Sequence, residues 1–515
     1  MNAFIDTMNN TTYTENSAIT NKSTLDANLD WFFHGAAMRR ADAERIIDLF
    51  SKAFHEDPEK ALKTLFYVRD CRGGQGERRV FRKCIGAMAN TEETQKWLKD
   101  NLSLIEEYGR FDDYLCLLDT QLDTAVTQYL LNQLLEDKNN ADQGSVFISQ
   151  CAKWMPSLTS SAESKRQAKR FIKLVRENFV TDFTEQKYRK LVSSLRKAIK
   201  IVEHNLTNKD YEGIDYSKIP SYASLKYRKA FKRNDQVRYL LYLADVAKDK
   251  TKINSSTLYP YDLVKKYSGN WFDIDSKTID PTVEEQWKAL PDYVPEINGI
   301  VVNDTSGSMT GLPMDVSMSL AVYIAERNKS EVWKNYIIPF SSRAEWKEVK
   351  GDTLLEKLKS VYTGDCSNTN LQAVFDLILS RAVEKHIPKE DMPKVLLIIS
   401  DMEFDNTDYS LMGLHLDIDS DVNTDFAPLR PKRTNFEAIT KKYQEAGYER
   451  PNLVWWNVDS RNTQTPITKD DDGNILISGC SPAMLSVALS GNFNPIDAMN
   501  RIIEQPRYNQ VTWNK

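Results

Sequence analysis

The segment INGIVVNDTSGS (residues 297–308) decides the fold of the C-terminal half. It is a short apolar run that ends in a polar turn. Similar apolar runs follow along the chain, each separated from the next by a stretch with helical spacing: NYIIPF (335–340), KVLLIIS (394–400), NLVWWNV (452–458) and NILIS (474–478). Fully apolar runs alternating with helices indicate a parallel sheet covered on both faces. We therefore expect a doubly wound α/β domain over residues 291–515.

The N-terminal half has a different pattern, in which apolar residues recur at intervals of three and four. Clear examples are AERIIDLFSKAF (43–54) and QKYRKLVSSLRKAI (186–199), and this period is typical of helices with one buried face. Residues 1–27 are rich in Asn, Thr and Ser and contain little apolar material. The chain is thus expected to be multidomain, with a flexible arm at 1–27, an all-α region at 28–290 and the α/β domain at 291–515.

Composition excludes several classes of protein for this 515-residue chain. No apolar run approaches the length of a membrane-spanning helix, and the start of the chain lacks a signal peptide pattern. The six cysteines form no CxxC pair and the five histidines form no zinc motif. We expect a cytoplasmic protein with no membrane partner and no zinc site.

Charge is distributed unevenly along the chain, although the net charge is only −5. Residues 151–250 contain 23 Lys and Arg against 11 Asp and Glu, whereas residues 301–430 contain 13 against 21. A basic block is where a polyanion such as RNA would bind. The candidate contacts are Arg72, Arg78, Lys153, Arg166, Lys169, Arg170, Arg189, Arg196, Lys197, Lys200, Lys226, Arg228, Lys229, Lys232 and Arg233.

One helix in this block illustrates the expected binding surface. On a helical wheel Val192, Leu195 and Ile199 share one face, so the spacing predicts an exposed basic ridge of Arg189, Arg196 and Lys200 on another. Aromatic residues are interleaved with the basic ones. In a positively charged groove, aromatic rings can stack against the bases of a single strand. They are Trp154, Phe171, Tyr188, Tyr222, Tyr227 and Phe231.

The turn Gly73-Gly74-Gln75-Gly76 lies between two helical segments and allows two interpretations. It could be a structural turn whose glycines need positive φ, or a phosphate-binding loop flanked by Arg72 and Arg78. It is not a Walker loop, because no strand precedes it and GK[ST] is missing.

The polar turns after the predicted strands contain one strong motif. Asp304, Ser306 and Ser308 form Asp-x-Ser-x-Ser, Asp401 directly follows KVLLIIS, and Thr369 precedes a predicted helix. Oxygen donors from loops at the same edge of the sheet suit Mg²⁺ or Mn²⁺. This pattern resembles the metal-ion-dependent adhesion site of von Willebrand factor A domains, and all five positions match.

A broader resemblance covers residues 28 to about 490. RDCRGGQGERRVFRKCI (69–85), YGRFDDYL (108–115), AKWMP (152–156), DTSGSM (304–309) and ISDMEFD (399–405) resemble a family of unknown function. That family joins a helical module like the TROVE module of the Ro autoantigen to a von Willebrand A-like half. The resemblance implies HEAT-like helical repeats that bind small noncoding or single-stranded RNA. Residues from about 406 to 435 look like an insertion in the A-like half.

Three functions remain open at this point. The first is a non-enzymatic RNA-binding protein with a Mg²⁺ or Mn²⁺ site. The second is a protein-interaction module whose metal captures an acidic residue of a partner protein. The third is a metal-dependent nuclease, which usually needs more carboxylates and a base.

Overall fold

The computed structural model describes residues 9–145, 147–199, 201–269, 271–340, 344–362, 364, 371–404 and 435–513. The chain forms two compact units, and each is built from separated stretches of sequence. One unit comprises Met1–Ala41, Tyr259–Ile279 and Asp292–Glu504, and we call it the α/β unit. The other comprises Asp42–Leu258, Asp280–Pro291 and Gln505–Lys515, and we call it the helical unit.

The strands are β1 (Thr11–Tyr13), β2 (Ile19–Asn21), β3 (Gly299–Asp304), β4 (Tyr336–Phe340), β5 (Lys347–Glu348), β6 (Val395–Ser400), β7 (Asn452–Asn457) and β8 (Asn474–Ser478). The α-helices are α1 (Ala27–Gly35), α2 (Ala43–Glu56), α3 (Pro58–Arg69), α4 (Arg78–Met88), α5 (Glu92–Asp100), α6 (Ser103–Tyr108), α7 (Asp123–Asp142), α8 (Cys151–Trp154), α9 (Ala162–Asn178), α10 (Glu185–Ala198), α11 (Val202–Asn208), α12 (Ser221–Asn234), α13 (Gln236–Val246), α14 (Pro260–Val264), α15 (Pro281–Lys288), α16 (Leu312–Arg327), α17 (Leu354–Val361), α18 (Leu371–Lys385), α19 (Asn435–Glu445), α20 (Leu485–Ala488) and α21 (Pro495–Ile503).

The α/β unit is organised around a six-stranded sheet with the order β5-β4-β3-β6-β7-β8. Strands β4, β3, β6, β7 and β8 are parallel, and β5 is an antiparallel edge strand. The order reverses between β3 and β6, which makes that position the topological switch point where ligands of open α/β sheets bind. The structure therefore confirms a multidomain α plus α/β protein.

The apolar runs form the centre of this sheet because both of its faces are covered. Every residue of β3, β6 and β8 is buried, as expected for parallel strands with helices on each side. Helix α16 is buried around almost its whole circumference and contacts β3, β4 and β6. Its N-terminus follows Gly311, which has φ of 91°. A helix that is apolar on all sides must be internal.

Residues 9–27 do not form the flexible arm that their composition predicts. Strands β1 and β2 pair antiparallel, and Thr14, Thr20 and Thr24 are buried. The hydroxyl of Thr14 donates to the carbonyl oxygen of Phe404 at 2.7 Å, and Asn21 bridges to Thr465. The prediction was wrong because threonine and asparagine side chains here bond to main-chain groups, so the segment is ordered without a large apolar core of its own.

The two units divide between Pro291 and Asp292, next to the predicted boundary, but the C-terminal end departs from the prediction because the chain returns there to the helical unit. There Tyr508 is fully buried and stacks on Tyr108, with ring centroids 5.6 Å apart. Arg507 pairs with the buried carboxylate of Asp70, and the Trp513 ring packs edge-on against Phe54. These contacts place residues 505–513 in the helical unit, although they follow the α/β unit in sequence.

The glycine turn after α3 is held by main-chain hydrogen bonds that fold it back on the helix. The amide N–H of Gly74 donates to Asp70 at 3.2 Å, and that of Gln75 donates to Tyr67 at 3.1 Å. Gly76 has positive φ, of 64°, but Gly73 and Gly74 do not. Gly74 is required for a different reason, because a Cβ there would lie 2.1 Å from the carbonyl oxygen of Tyr67.

We predict that Gly74→Ala destabilises the helical unit by about 1–3 kcal/mol, the usual range for an overpacked position. The matched control is Gly86→Ala in α4, where an added Cβ meets nothing within 4 Å. That change should instead stabilise the protein by about 0.5–1 kcal/mol, because alanine is the better helix former. Urea unfolding followed by circular dichroism measures both. Equal stabilities of the two variants would contradict the close approach at Gly74.

No helix in the described ranges is both long and apolar enough to cross a bilayer.

Candidate functional site

Two carboxylates meet at the carboxyl edge of the sheet, at its switch point. Asp304 is the last residue of β3, and Asp401 directly follows β6. Because β3 and β6 are parallel neighbours, their ends lie side by side. Both side chains are buried. The structure thus brings together two of the predicted metal ligands.

Each oxygen of the Asp304 carboxylate accepts a hydrogen bond. The backbone N–H of Ser306 donates to Oδ1 at 2.9 Å, and the hydroxyl of Ser400 donates to Oδ2 at 2.6 Å. Burial raises the pKa of Asp304 from its ordinary value of 3.8 to about 6, and the negative charge of Asp401 adds to the shift. Ionisation of Asp304 in the folded protein therefore costs free energy, and a nearby cation would offset that cost.

Ser306 and Ser308 lie on the turn after β3, which continues as a short 3₁₀ helix (Gly307–Met309). Their two hydroxyl oxygens are 2.9 Å apart. Adjacent ligands of an octahedral cation bound at 2.0–2.1 Å are also about 2.9 Å apart, by simple geometry. The two hydroxyls are thus spaced as neighbouring ligands of Mg²⁺ would be.

Asp401 has a partner that the sequence did not indicate. The Arg461 guanidinium donates to Oδ2 of Asp401 at 2.6 Å, and it also lies 3.2 Å from the carboxylate of Glu15. The backbone N–H of Glu403 donates to Oδ1 of Asp401 at 3.3 Å. Arg461 follows β7, so its only sequence signal was its place after a strand that ends at the same edge.

Two further carboxylates near this edge were not predicted. Glu403 is buried and accepts hydrogen bonds from Asn462 at 2.9 Å and Gln464 at 2.8 Å. Asp459 is buried, and its Oδ2 has no hydrogen-bond partner among the described residues. Burial raises the pKa of both side chains. Both residues belong to loops that leave β6 and β7, where polar groups collect in this fold.

The donors at the switch point fit a hard cation. Asp304, Ser306, Ser308 and Asp401 are all oxygen donors, which suits Mg²⁺ or Mn²⁺. Within the described ranges no three His, Cys, Asp or Glu side chains are grouped so as to hold a metal, so a cation here would depend on the serine hydroxyls. The fifth predicted ligand, Thr369, lies outside the described residues, as does the predicted insertion at about 406–435.

We predict that Asp304→Asn stabilises the protein in metal-free buffer at neutral pH by about 1–3 kcal/mol, because it removes a buried charge beside Asp401. The raised pKa of Asp304 means that the folded state binds a proton more tightly than the unfolded state. The gain should therefore be absent below about pH 4, grow as the pH rises toward 6, and stay constant above it.

Chemical denaturation in EDTA at several pH values measures this difference. Asp352→Asn, a change at an exposed position, is the matched control and should give no such pH-dependent gain. If Asp304→Asn is less stable than the native protein at pH 8 without metal, the repulsion between the two carboxylates is not the dominant interaction.

The predicted RNA contacts do not form a single surface, because the structure pairs many of them internally. Arg166 and Arg170 form ion pairs of 2.7 Å with Asp119 and Asp123, respectively. Arg228 is largely buried and lies 2.7 Å from Asp280. The other paired members are Arg72 with the carbonyl of Glu107, Arg78 with Asp112, and Arg189 with Glu185.

The prediction of a basic ridge on α10 is wrong at its central residue, Arg196. The guanidinium of Arg196 donates to the carbonyl oxygens of Ala152 at 2.8 Å and Met155 at 2.7 Å, and it is partly buried. It therefore caps the end of α8 and is not presented to solvent. A helical wheel cannot show this, because the acceptors belong to another helix. Lys200 lies outside the described residues.

The aromatic residues of the basic block are mostly core residues. Phe171, Tyr188 and Phe231 are buried, while Trp154 and Tyr227 are half-buried. Tyr222 is the exception, with 53% of its surface exposed. Of these six aromatic residues, only Tyr222 offers a largely free ring.

Helix α12 carries the best-defined basic surface of the described residues. Tyr222, Lys226, Lys229 and Arg233 are exposed and recur at intervals of four, three and four, so they form one line along the helix. Lys232 is exposed beside them, and α12 contains no acidic residue. We call these five residues the α12 surface. None of its four cations forms an ion pair with a described carboxylate, and the same is true of Lys153, Lys169 and Lys197.

Comparison with known proteins finds two family models and a viral relative. A model described as "Domain of unknown function (DUF2828)" matches residues 14–94 and 119–297, together just over half of the chain. A second, "Domain of unknown function (DUF7788)", matches residues 298–510. "Uncharacterized protein L728" of Acanthamoeba polyphaga mimivirus is 28% identical over 547 aligned residues, covering 98% of this chain and 89% of the relative.

Proposed function

We propose that the chain, which belongs to the DUF2828 family of domains of unknown function, is a non-enzymatic RNA-binding protein. The observation that carries the proposal is the α12 surface. Three cations without acidic partners lie in line with an exposed aromatic ring, and a fourth lies beside that line. Unpaired cations release counterions when they contact phosphates, and an exposed ring can stack on a base.

We infer further that the helical unit is a HEAT-like module of the TROVE type and that the α/β unit is von Willebrand A-like. The strand order, with its switch point between β3 and β6, supports the second inference. The Asp-x-Ser-x-Ser turn at that switch point supports it independently. The first inference depends on the three N-terminal sequence segments that resemble that module.

The proposed metal is Mg²⁺ or Mn²⁺, held by Asp304, Ser306, Ser308, Asp401 and the sequence-predicted Thr369. A bound cation would supply positive charge between two buried carboxylates. The chain's own residues orient that site, because Ser400 fixes the Asp304 carboxylate and Arg461 fixes that of Asp401. An open coordination position would accept water or an acidic residue of a partner protein, which keeps the interaction-module function as the second candidate.

We predict that replacing Lys226, Lys229 and Arg233 together by Gln weakens the binding of a labelled single-stranded RNA. The slope of log K against log salt should become shallower by roughly 0.7 for each phosphate that is no longer neutralised, hence by about 2 in total. Fluorescence anisotropy at several salt concentrations measures both quantities. Gel analysis of the same samples in Mg²⁺ should show intact RNA, since cleavage would indicate the nuclease alternative.

The matched control replaces Lys52, Lys99 and Lys173 by Gln, because these lysines are also exposed on helices of the helical unit. The control changes the net charge equally and should leave the affinity and the salt slope nearly unchanged. If both triple variants behave alike, the α12 surface has no special part in binding. If the native protein binds no RNA, the proposed function is wrong.

We predict that Mn²⁺ or Mg²⁺ raises the melting temperature of the native protein and that Asp304→Ala abolishes this increase. A ligand at 100 times its Kd adds about 2.7 kcal/mol to the free energy of unfolding, so the shift should be several degrees. Differential scanning fluorimetry with Mn²⁺ and with EDTA measures it. Asp352→Ala is the control and should keep the full increase.

The RNA affinity of Asp304→Ala should stay close to that of the native protein, because the α12 surface belongs to the helical unit. A melting temperature of the native protein that does not respond to either cation would exclude the metal site. A large loss of RNA binding in folded Asp304→Ala would show that RNA binding needs the α/β unit.

A further inference from the structure

Three segments that are distant in sequence converge on one cluster of charges within the helical unit. Arg78 comes from residues 69–85, Arg110 from residues 108–115, and Trp154 from residues 152–156. Asp112 joins them, since Arg78 and Arg110 both lie beside its carboxylate. These three segments thus contribute to one cluster, which shares no residue with the α12 surface.

The inner part of the cluster is a buried ionic network. The carboxylate of Asp113 is fully buried, and its Oδ2 accepts from the Arg69 guanidinium at 2.7 and 2.8 Å. Its Oδ1 accepts from Nε of Arg82 at 2.7 Å. Two guanidiniums thus already face one carboxylate in the interior. Removing Asp113 would leave the buried charge of Arg69 uncompensated, which is strongly destabilising.

The outer part repeats this excess of positive charge at the surface. Asp112 lies 2.8 Å from Arg82, 3.1 Å from Arg110 and 3.5 Å from Arg78. Across both parts, four guanidiniums share two carboxylates, so two positive charges have no carboxylate of their own in the described part of the chain. The exposed fraction is 51% for Arg78 and 33% for Arg110. The excess charge can therefore be reached from solvent.

An aromatic ring lies next to this excess charge. The guanidinium carbon of Arg110 is 4.1 Å from the centroid of the Trp154 ring, and Nζ of Lys153 is 5.6 Å from it. A guanidinium stacked on an aromatic ring keeps its N–H edge available to an anion. Lys153 has no acidic partner in the described residues and adds a further positive charge.

We propose that Arg78, Arg110 and Lys153 bind the phosphoryl group of a nucleotide, with Trp154 beside its base. The two charges that the arginines leave uncompensated match a phosphate monoester dianion, Lys153 adds a third, and the planar fork of arginine suits the phosphate oxygens. The nucleotide can be free or can be part of an RNA strand. The proposal does not depend on the α12 surface, because the two sites share no residue.

The electrostatics of Arg78 agree with this assignment. Burial lowers the pKa of Arg78, and the positive charges of Arg82 and Arg110 lower it further, while the charge of Asp112 opposes them. An anion bound beside Arg78 would therefore stabilise the charged form of its guanidinium. Arg78 is also the member whose removal costs least structure, since Asp112 keeps Arg82 and Arg110 as partners.

The test is isothermal titration calorimetry of the full-length protein with inorganic phosphate and with AMP. We expect the native protein to bind both, and Arg78→Gln to weaken both at least tenfold while its melting temperature is kept. The matched control is Arg176→Gln, which removes an exposed arginine from α9 and should bind like the native protein. Unchanged binding in Arg78→Gln, or no binding by the native protein, would overturn the proposal.

Trp154→Leu tests the part of the proposal that concerns the base. It should weaken the binding of AMP by about five- to 150-fold, the range that base stacking supplies, and leave the binding of inorganic phosphate nearly unchanged. Equal weakening of the binding of both ligands would mean that Trp154 only supports Arg110. The site would then be a simple phosphate site, and the nucleotide assignment would be wrong.

Competition separates the two sources of the phosphoryl group. A 5′-phosphorylated single-stranded RNA that displaces AMP identifies the strand, whereas AMP binding without displacement identifies a free nucleotide. The triple Gln variant of the α12 surface should keep full affinity for AMP. A loss of AMP affinity in that variant would show that the two surfaces form one site. Failure of the proposed RNA-binding function is a different result, namely that the native protein binds no RNA.

Discussion

The hydrogen bond from the Ser400 hydroxyl to Oδ2 of Asp304, 2.6 Å long, is the contact on which the carboxyl edge of the sheet depends. It exists because Asn303 pairs with Ile399 in the parallel register, so the next residue of each strand lies opposite the other. The bond satisfies a carboxylate that the central strand has carried into the interior. It does not neutralise the charge, and the raised pKa of Asp304 reflects the remaining cost. A site that keeps such a cost is expected to be functional.

Each unit contains a cluster of buried charges that is not neutralised, and the excess charge has opposite signs in the two units. At the switch point two neighbouring carboxylates have one arginine beside them among the residues that the structure describes, Arg461, which donates to Asp401. In the helical unit, Asp112 and Asp113 are surrounded by more arginines than they can neutralise. An undercompensated anionic edge attracts a cation, and an overcompensated cationic cluster attracts an anion. The same physical argument therefore supports a metal site in one unit and a phosphoryl site in the other.

The sequence predicted the central strands and the neighbouring positions of Asp304 and Asp401 because both follow from local pattern. A buried parallel strand is an unbroken apolar run, and parallel strands end at a common edge. The partners Ser400 and Arg461 could not be predicted, since they depend on register and on the path of a loop. The return of residues 505–513 to the helical unit could not be predicted for a similar reason, because it depends on tertiary contacts of Arg507 and Tyr508. Polar residues 9–27 were misjudged because composition does not reveal main-chain hydrogen bonds.

Charge counting predicts a basic region but does not show which of its residues are available to a polyanion. Arg196, Arg228 and Arg166 all contribute to the regional excess, yet each is occupied by carbonyl or carboxylate oxygens of its own unit. The quantity that decides polyanion binding is the number of phosphates that can be contacted at once, because each contact releases counterions. Unpaired cations on one helical face, about 5–6 Å from one to the next, meet that condition together. The α12 surface is therefore a better candidate than the whole basic block, even though it holds a small part of the charge.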